Sequence, residues 1–272
     1  NEGLAIINAN GTFRKIHTKW FAPLETGIKR KETIVIGGDF NYPPYEFLDE
    51  DGVPAGYNVD LMKAVASELE MNIQFKLGPW DNIVKQLKKG RIDAIQGMLY
   101  SPERDRFFDL SQAHTRVSYV IATRKDMKIP ANIEQLEGQK VLVQKQDLMH
   151  EYALMKGLKE ELIPVVSQEE AMRSLSEGKY NYALVSRILF HYYLKKNQWD
   201  NLKAGKKSVY VADYCVSVKE GNTALLAKFS EGLKAIKNKG KYREIYSKWL
   251  KVYDEPEFTF GDFLKYASII LI

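Results

Sequence analysis

The fold is decided by residues 81–96, which read DNIVKQLKKGRIDAIQ. Apolar side chains recur at helical spacing in the first part of this segment, which predicts an amphipathic helix over Asp81–Lys89. Gly90 is typical of the residue that ends such a helix. The short apolar run Ile92–Ile95 then predicts a buried strand, so the segment indicates one helix–strand unit of an α/β protein.

The same layout returns 88 residues later, in residues 169–184, which read EEAMRSLSEGKYNYAL. A predicted helix over Glu169–Glu177 is again followed by a glycine, Gly178, and by a strand pattern over Tyr180–Val185. Alternating units of this kind build mostly parallel sheets with helices on both faces. Two of them predict two similar lobes, with a ligand bound in the cleft between them, because parallel sheets bind ligands beyond the carboxyl ends of their strands.

Further elements extend this pattern on both sides. A helix is predicted over Asn58–Leu69, with Asn58 as its N-cap. The remaining predicted strands are Thr33–Asp39, Ile73–Leu77, Val141–Val143 and Val211–Val218.

Composition limits the classes of function. The chain has 272 residues, of which 45% are hydrophobic and 28% charged, and this balance excludes both overall disorder and a transmembrane bundle. The single cysteine, Cys215, excludes intramolecular disulfides and multi-cysteine metal sites. The net charge of +5 comes from charges of alternating sign without a basic stripe, so nucleic-acid binding is not expected.

The sequence shows no catalytic or metal-binding pattern. Four histidines are present, but they form no metal-ligand spacing, and neither a nucleophile elbow nor a glycine-rich phosphate loop occurs. We therefore expect no metal, no cofactor and no catalytic residue. The histidines are His17, His114, His150 and His191.

An internal repeat involves the start of the chain. Residues 2–20 match residues 231–249 at a constant offset of 229, sharing an initial Glu-Gly-Leu and a final Lys-Trp. This predicts that residues 1–21 are the closing helix of a preceding copy of the same module. Residues 22–32 are then predicted to be the linker between the two copies.

The other end of the chain is apolar from Tyr266 to Ile272. One interpretation is a terminal element that packs on the core. We favour the other, in which residues 254–272 are a juxtamembrane segment and the start of a truncated transmembrane helix, because Lys265 and Tyr266 are typical of a membrane entry.

Six short motifs then follow one another between Thr33 and Tyr253. Together they resemble the family 3 extracellular solute-binding proteins of bacteria, which have the two-lobed type II periplasmic binding, or Venus flytrap, fold. The resemblance implies that lobe 1 comprises residues 33–124 and 212–253 and lobe 2 residues 125–211, with hinge strands near Ile121–Lys125 and Val209–Tyr214. The motifs are DxxYPPYEF at 39–47, GYNVDL at 56–61, GxxDxxxGM at 90–98, SPER at 101–104, FDLS at 108–111 and YxxIYxxW at 242–249.

The resemblance also implies a binding site. Arg104 matches the arginine that grips the ligand's α-carboxylate, which a planar guanidinium can bind through two hydrogen bonds. Tyr42 and Trp80 match the aromatic pair on either side of the ligand. Two alternatives stay open, an ion pair of Arg104 within the protein and a core position for Trp80. The remaining first-lobe candidates are Asp39, Gly97, Met98 and Leu99.

Several positions depart from the amino-acid-binding members of the family. Leu99 replaces a hydroxyl that accepts from the ligand ammonium, and Ser186 and Arg187 stand where the second lobe supplies an acid. Gln144 begins the segment that replaces a turn presenting backbone N–H groups to the carboxylate. These departures favour an anion without an amine, held by Arg104 and Arg187, over an ordinary α-amino acid. Alternatively, Arg187 points to solvent or pairs with an acid.

The family resemblance and the two chain ends together predict the periplasmic ligand-sensing domain of a bacterial transmembrane receptor, such as a sensor histidine kinase in the inner membrane. Its predicted partners are a small polar or anionic solute, an adjacent flytrap module and the membrane, while pairing with a second copy is left open. The alternative is the amino-acid-binding component of an ABC uptake transporter. A third hypothesis, cyclohexadienyl dehydratase-like catalysis by Glu46 or Glu103, is disfavoured because both belong to motifs with a structural explanation.

Overall fold

The computed structural model describes residues 33–253, together with Thr12, Phe13 and Ile16, which are helical. The predicted linker at 22–32 and the predicted juxtamembrane segment at 254–272 lie outside the described residues, as does most of the predicted helix at 1–21. Within the described part of the chain, no helix is both long and apolar enough to cross a membrane.

The described chain alternates strands and helices. The strands are β1 Ile34–Asp39, β2 Asn41–Tyr42, β3 Glu46–Leu48, β4 Pro54–Ala55, β5 Ile73–Gly78, β6 Ala94–Leu99, β7 Phe108–Leu110, β8 Thr115–Arg124, β9 Val141–Gln144, β10 Leu162–Val165, β11 Tyr182–Ser186, β12 Leu202–Ala204 and β13 Tyr210–Lys219. The α-helices are α1 Tyr57–Glu68, α2 Trp80–Lys88, α3 Pro102–Asp105, α4 Leu148–Met155, α5 Gln168–Ser176, α6 Arg187–Asn197, α7 Thr223–Asn238 and α8 Lys241–Trp249. Two 3₁₀ helices span Ile133–Leu136 and Lys251–Tyr253.

One sheet runs through both lobes in the order β10-β9-β11-β8-β13-β6-β1-β5, with β12 paired to β8 and β7 paired to β13. In the first lobe, β1 pairs in parallel with β5 and β6. In the second lobe, β9 pairs in parallel with β10 and β11. The predicted fold class, a two-lobed α/β protein with mostly parallel sheets, is confirmed.

The two long strands β8 and β13 connect the lobes. They pair antiparallel with each other from Thr115 opposite Tyr214 to Tyr119 opposite Tyr210. From Tyr119 to Thr123, β8 also pairs with β11 of the second lobe. Strand β8 therefore pairs with strands of both sheet halves, with Tyr119 opposite Tyr210 of β13 and Ser186 of β11.

The 88-residue repeat is present in three dimensions. Helices α2 and α5 both have nine residues and begin at Trp80 and Gln168, which are 88 positions apart. Gly90 and Gly178 follow them at the same offset, with φ angles of 65° and 74°. The repeated sequence pattern thus produces the same helix–turn–strand unit in each lobe.

Asn58 is not the N-cap of α1, contrary to the sequence prediction. The N-cap is Gly56, where a Cβ atom would lie 2.5 Å from the carbonyl oxygen of Tyr45. Asn58 lies in the first turn, fully buried, and its Nδ2 donates to Glu46 Oε2 over 2.9 Å. The close approach of the Tyr45 backbone requires glycine at the cap. The Asn58 side chain instead contacts a residue of the site described below.

Most of the core is one apolar cluster that extends through both lobes. A second, smaller cluster lies in the first lobe, between α2 and one face of β6. Its buried members are Trp80, Ile83, Leu87, Ile92, Ile95, Met98 and Phe108.

Candidate functional site: a closed cleft lined by carboxyl groups

A cavity lies between the two lobes. The first lobe contributes most of its lining, and the second lobe contributes the carboxyl end of β9 and the residue before α4. This is the edge of the sheets at which parallel α/β proteins bind ligands. The lining residues are Asp39, Tyr42, Glu46, Trp80, Gly97, Leu99, Gln144, Asp147 and Tyr214.

Two buried carboxyl groups form the first-lobe wall. Asp39 ends β1, and its backbone N–H donates to Glu46 Oε1 over 2.7 Å. Burial raises the pKa of Asp39 to about 7 and the pKa of Glu46 to about 8, in spite of the hydrogen bonds that both carboxyls accept. This wall therefore changes its charge near neutral pH.

The second lobe meets this wall with an amide and a third carboxyl group. Gln144, at the end of β9, donates from Nε2 to Asp39 Oδ2 across the cleft. Asp147 caps α4 by accepting from the backbone N–H of Leu148 over 2.7 Å. Its pKa is raised to about 6, chiefly by burial, although Arg104 acts in the opposite direction.

Phenol and indole groups complete the lining. The hydroxyls of Tyr42 and Tyr119 lie 3.1 Å apart, and Tyr119 donates to Asp147 Oδ2 over 2.8 Å. Tyr214 accepts a hydrogen bond of 3.2 Å from Asn58 Nδ2. These bonds hold ring faces and hydroxyls around the cavity and connect the two lobes.

Arg104 lies beside the cavity, with its guanidinium 5.7 Å from the ring of Trp80. Its side chain is 6% exposed. Both Nε and Nη2 contact the carboxylate of Glu151, on α4 of the second lobe, at 3.0 to 3.2 Å. Nη1 donates to the carbonyl of Leu99 and Nη2 also donates to that of Gln146, so each guanidinium nitrogen is already used within the protein.

Other contacts also hold the lobes together. Trp80 Nε1 donates to the carbonyl of Gln146 over 2.9 Å, and Gln146 has a left-handed φ of 59° that non-glycine residues seldom adopt. Lys145 forms an ion pair of 3.0 Å with Asp81. Asn41 Nδ2 donates to Glu169 over 3.0 Å. The structure is therefore a closed form of the two-lobed domain.

Six of the ten residues proposed from the sequence line the cavity. Gly97 requires the absence of a side chain, because a Cβ atom would lie 2.3 Å from Asn58 Nδ2 and 2.4 Å from the Tyr214 hydroxyl oxygen. Trp80 lines the cavity and also packs in the smaller core cluster, so the binding-site and the core interpretations of this residue both apply. The six are Asp39, Tyr42, Trp80, Gly97, Leu99 and Gln144.

The other four proposed residues do not line the cavity. Met98 packs in the smaller core cluster, because alternate residues of β6 point to opposite faces and Gly97 faces the cavity. Ser186 is buried at the end of β11, where its backbone N–H donates to Gln168. Arg187 turns toward its own lobe and donates to Lys206 and Ser208, while Arg104 binds Glu151, so the predicted pair of anion-binding arginines is not assembled in the cavity.

Three lining residues were not among the proposed site residues. Glu46 lies within the YPPYEF motif and was considered only as a catalytic acid. Asp147 precedes an apolar helical segment, which is the position of an N-cap, so a capping signal could have found it. No local sequence pattern indicated Tyr214, because it reaches the cavity through the pairing of β13 with β6.

Comparison with protein families agrees with this architecture. The family model described as "Bacterial extracellular solute-binding proteins, family 3" matches residues 34–252. The chain belongs to this family. Members bind small-molecule solutes outside the cytoplasm, and the domain is therefore a solute-binding domain of that family.

Individual relatives are named for the amino acids that they bind. An arginine-binding protein of an ABC transporter from Escherichia coli (strain K12) is 24% identical over 229 residues, covering 82% of this chain and 93% of the relative. An L-cystine-binding protein of Bacillus subtilis (strain 168) is 22% identical over 227 residues, covering 83% and 84%.

Solved structures include close matches over the same region. A histidine kinase sensor domain with similarity to periplasmic binding proteins is 39% identical, with a TM-score of 0.79, over 82% of this chain and 97% of that one. An ancestral arginine-binding protein bound to arginine is 28% identical, with a TM-score of 0.76, over 82% and 100%.

Proposed function

We propose that this domain is the extracytoplasmic sensing module of a bacterial transmembrane receptor, and that a small polar solute controls the position of its two lobes. The observation that carries the proposal is the cavity itself, which is closed by the hydrogen bond from Gln144 of one lobe to Asp39 of the other. A hydrogen bond in this position responds both to a bound solute and to the closure of the cleft. The 39% identity to a histidine kinase sensor domain supports a sensory role.

Strands β8 and β13 are the proposed hinge, because they are the two long strands that pass between the lobes. Rotation about them would separate Asp39 from Gln144 and Arg104 from Glu151. A solute can shift this equilibrium only by the difference between its affinities for the open and closed forms. In the proposed receptor, this difference biases a membrane-spanning segment that follows residue 253 and an adjacent flytrap module that precedes residue 33.

The domain binds and releases its solute unchanged in this proposal. Glu46, one of the two acids considered for catalysis, accepts hydrogen bonds from Asp39 and Asn58 and so holds the first-lobe wall together. Glu103 is exposed. Purified domain incubated with prephenate or arogenate should leave both compounds intact in a chromatographic assay.

The second candidate function is solute capture for an ABC uptake transporter. The arginine-binding relative from Escherichia coli favours it, since its name describes it as an ABC transporter protein. The two candidates differ in what cleft opening does in the cell. Opening changes the output of a receptor, whereas in an uptake system it reduces transport.

The test uses the full-length protein in its native membrane. Asp81→Asn combined with Glu151→Gln removes two contacts between the lobes. Glu134→Gln combined with Glu177→Gln removes two ion pairs within the second lobe and is the matched control. We expect the first variant alone to change autophosphorylation, or transcription of the responding genes, by several-fold. Unchanged signalling together with reduced solute uptake would instead support the transporter.

A further inference from the structure

The cleft already contains its own carboxylates where a carboxylate ligand would bind. Glu151 contacts the guanidinium of Arg104 through both oxygens at 3.0 to 3.2 Å. A bidentate arginine–carboxylate pair is among the strong hydrogen-bonded ion pairs in proteins. An incoming carboxylate would have to displace Glu151 before it could use this arginine.

A carboxylate of the protein also occupies the N-terminus of α4. Asp147 accepts from the N–H of Leu148 at the helix N-terminus, and it also accepts from Tyr119 and, over 3.2 Å, from Gln168 Nε2. Both Asp147 and Glu151 belong to the short segment around α4. This segment therefore supplies both the carboxylate that caps the helix N-terminus and the carboxylate that neutralises the guanidinium of Arg104.

The groups that remain in the cavity suit a cation. Its lining in the described part of the chain contains Asp39, Glu46 and Asp147 but neither lysine nor arginine. Carboxylates call for cationic N–H donors.

We infer that the cleft binds a compact organic cation without a carboxylate group, an amine or guanidine, between the carboxyls of both lobes and the rings of Tyr42, Trp80 and Tyr214. The inference rests on the proposed function, whose solute it assigns to a chemical class. The cation stabilises the ionised carboxyls, and the aromatic faces add cation–π attraction. The cavity is lined by nine of the described residues, which limits the solute to a small molecule.

The same arrangement discriminates against amino acids. The carboxylate of an amino acid would find Arg104 already paired to Glu151, and each lining carboxyl that is ionised would repel it. Selectivity against a competing ligand often comes from such a repulsive element. Glu151 is therefore a specificity-determining residue in this inference.

Two pairs of probes that differ only in a carboxylate test the ligand class. Agmatine is compared with arginine, and cadaverine with lysine, by isothermal titration calorimetry on the purified chain. We expect each amine to bind at least about tenfold more tightly than its amino acid, a difference of about 1.4 kcal/mol. Tighter binding of arginine or lysine, or binding of succinate in preference to both amines, would overturn the inference.

Variants separate the roles of the carboxyl groups. Glu151→Gln should raise the affinity for arginine and reduce the preference for agmatine, because the guanidinium of Arg104 becomes available. Asp39→Asn should weaken agmatine binding by about tenfold or more, since it removes a charge from the cavity. Glu134→Gln removes a carboxylate that pairs with Lys156 on the surface and should leave both affinities unchanged.

The outcomes distinguish this inference from the proposed function. If neither amine binds but another solute binds and changes the position of the lobes in small-angle scattering, the ligand class is wrong and the sensing role stands. If agmatine binds as expected but neither lobe position nor receptor output responds, the ligand class stands and the sensing role is wrong. If Glu151→Gln leaves the preference for agmatine unchanged, Glu151 does not determine specificity.

Discussion

Asp39 and Glu46 show how burial alone can set the charge of a site. Both side chains are nearly inaccessible, at 3% and 0% exposure, and desolvation raises the pKa of Asp39 to about 7 and that of Glu46 to about 8. His114, also buried, has its pKa lowered to about 3 by the same cause, because desolvation disfavours whichever form is charged. The three groups therefore act on stability in different pH ranges.

The free energy of unfolding of the unliganded chain should fall as pH rises from 6.5 to 8.5. The folded state holds protons on Glu46 and Asp39 that the unfolded state has already lost, so their stabilising contribution disappears as pH rises through 7 and 8. The folded state keeps His114 neutral, whereas the unfolded state begins to protonate it as pH falls toward 6.5, so His114 opposes this trend only at the acidic end of the window. We expect a slope of roughly 1 kcal/mol per pH unit in urea denaturation.

Glu46→Gln should flatten that slope between pH 7 and 8.5. Glu134→Gln is the control, because Lys156 lowers the pKa of this exposed carboxyl and it does not titrate in the window. An unchanged slope in Glu46→Gln would show that Glu46 is already ionised in the folded protein at pH 7.

At the scale of the element, α4 connects the two lobes. Its N-cap Asp147 contacts Tyr119 on β8 and Gln168 on α5, and its fourth residue, Glu151, contacts Arg104 in the first lobe. The helix has only eight residues, and short helices depend on tertiary contacts for their stability. The geometry of the cleft therefore depends on how this helix is capped.

Asp147→Ala should lower the free energy of unfolding by roughly 2 kcal/mol in urea denaturation. The substitution removes the cap and leaves the Tyr119 hydroxyl and the Gln168 amide buried with fewer partners. Asn132→Ala removes the side-chain cap of the exposed 3₁₀ helix at Ile133–Leu136 and should cost less than about 1 kcal/mol. Equal losses in the two variants would mean that Asp147 acts as a local cap only.

At the scale of the whole molecule, closure depends on several modest contacts spread along the rim of the cleft. Three acidic side chains contribute: Asp81 to Lys145, Glu151 to Arg104 and Glu169 to Asn41. Loss of the partly exposed Asp81–Lys145 pair costs roughly 0.2–1 kcal/mol, and removing Glu151 from the buried Arg104 costs more. Together these contacts are comparable to the free energy that separates two populated conformations.

The triple variant Asp81→Asn, Glu151→Gln and Glu169→Gln should shift the unliganded chain toward an open form with a larger radius of gyration in small-angle X-ray scattering. The matched control, Glu68→Gln with Glu134→Gln and Glu177→Gln, loses the same charge from ion pairs that lie within a lobe. It should keep the wild-type radius. An equal increase in both variants would indicate general loosening rather than opening of the cleft.

The helix–strand units, the two lobes and part of the first-lobe wall could be predicted from the sequence, but not the role of Glu46, the second carboxyl of that wall. The helices over Asp81–Lys89 and Glu169–Glu177 were placed within one residue of α2 and α5, because apolar spacing and a terminal glycine are local signals. Asp39, Tyr42 and Gly97 were found through motif positions. The motifs carried them because the same backbone turns recur wherever the family fold forms.

The sequence by itself thus determined the order of the elements, which depends on neighbours within a few positions along the chain, and its motifs identified part of one wall of the site. Only the tertiary structure decided the electrostatic character of the cleft. Arg104 pairs with Glu151, 47 residues away, and Arg187 turns toward its own lobe, so a cleft expected to attract an anion is lined by carboxyl groups. The pairing of charges depends on which side chains meet when the lobes close, and no pattern along the chain encodes that distance.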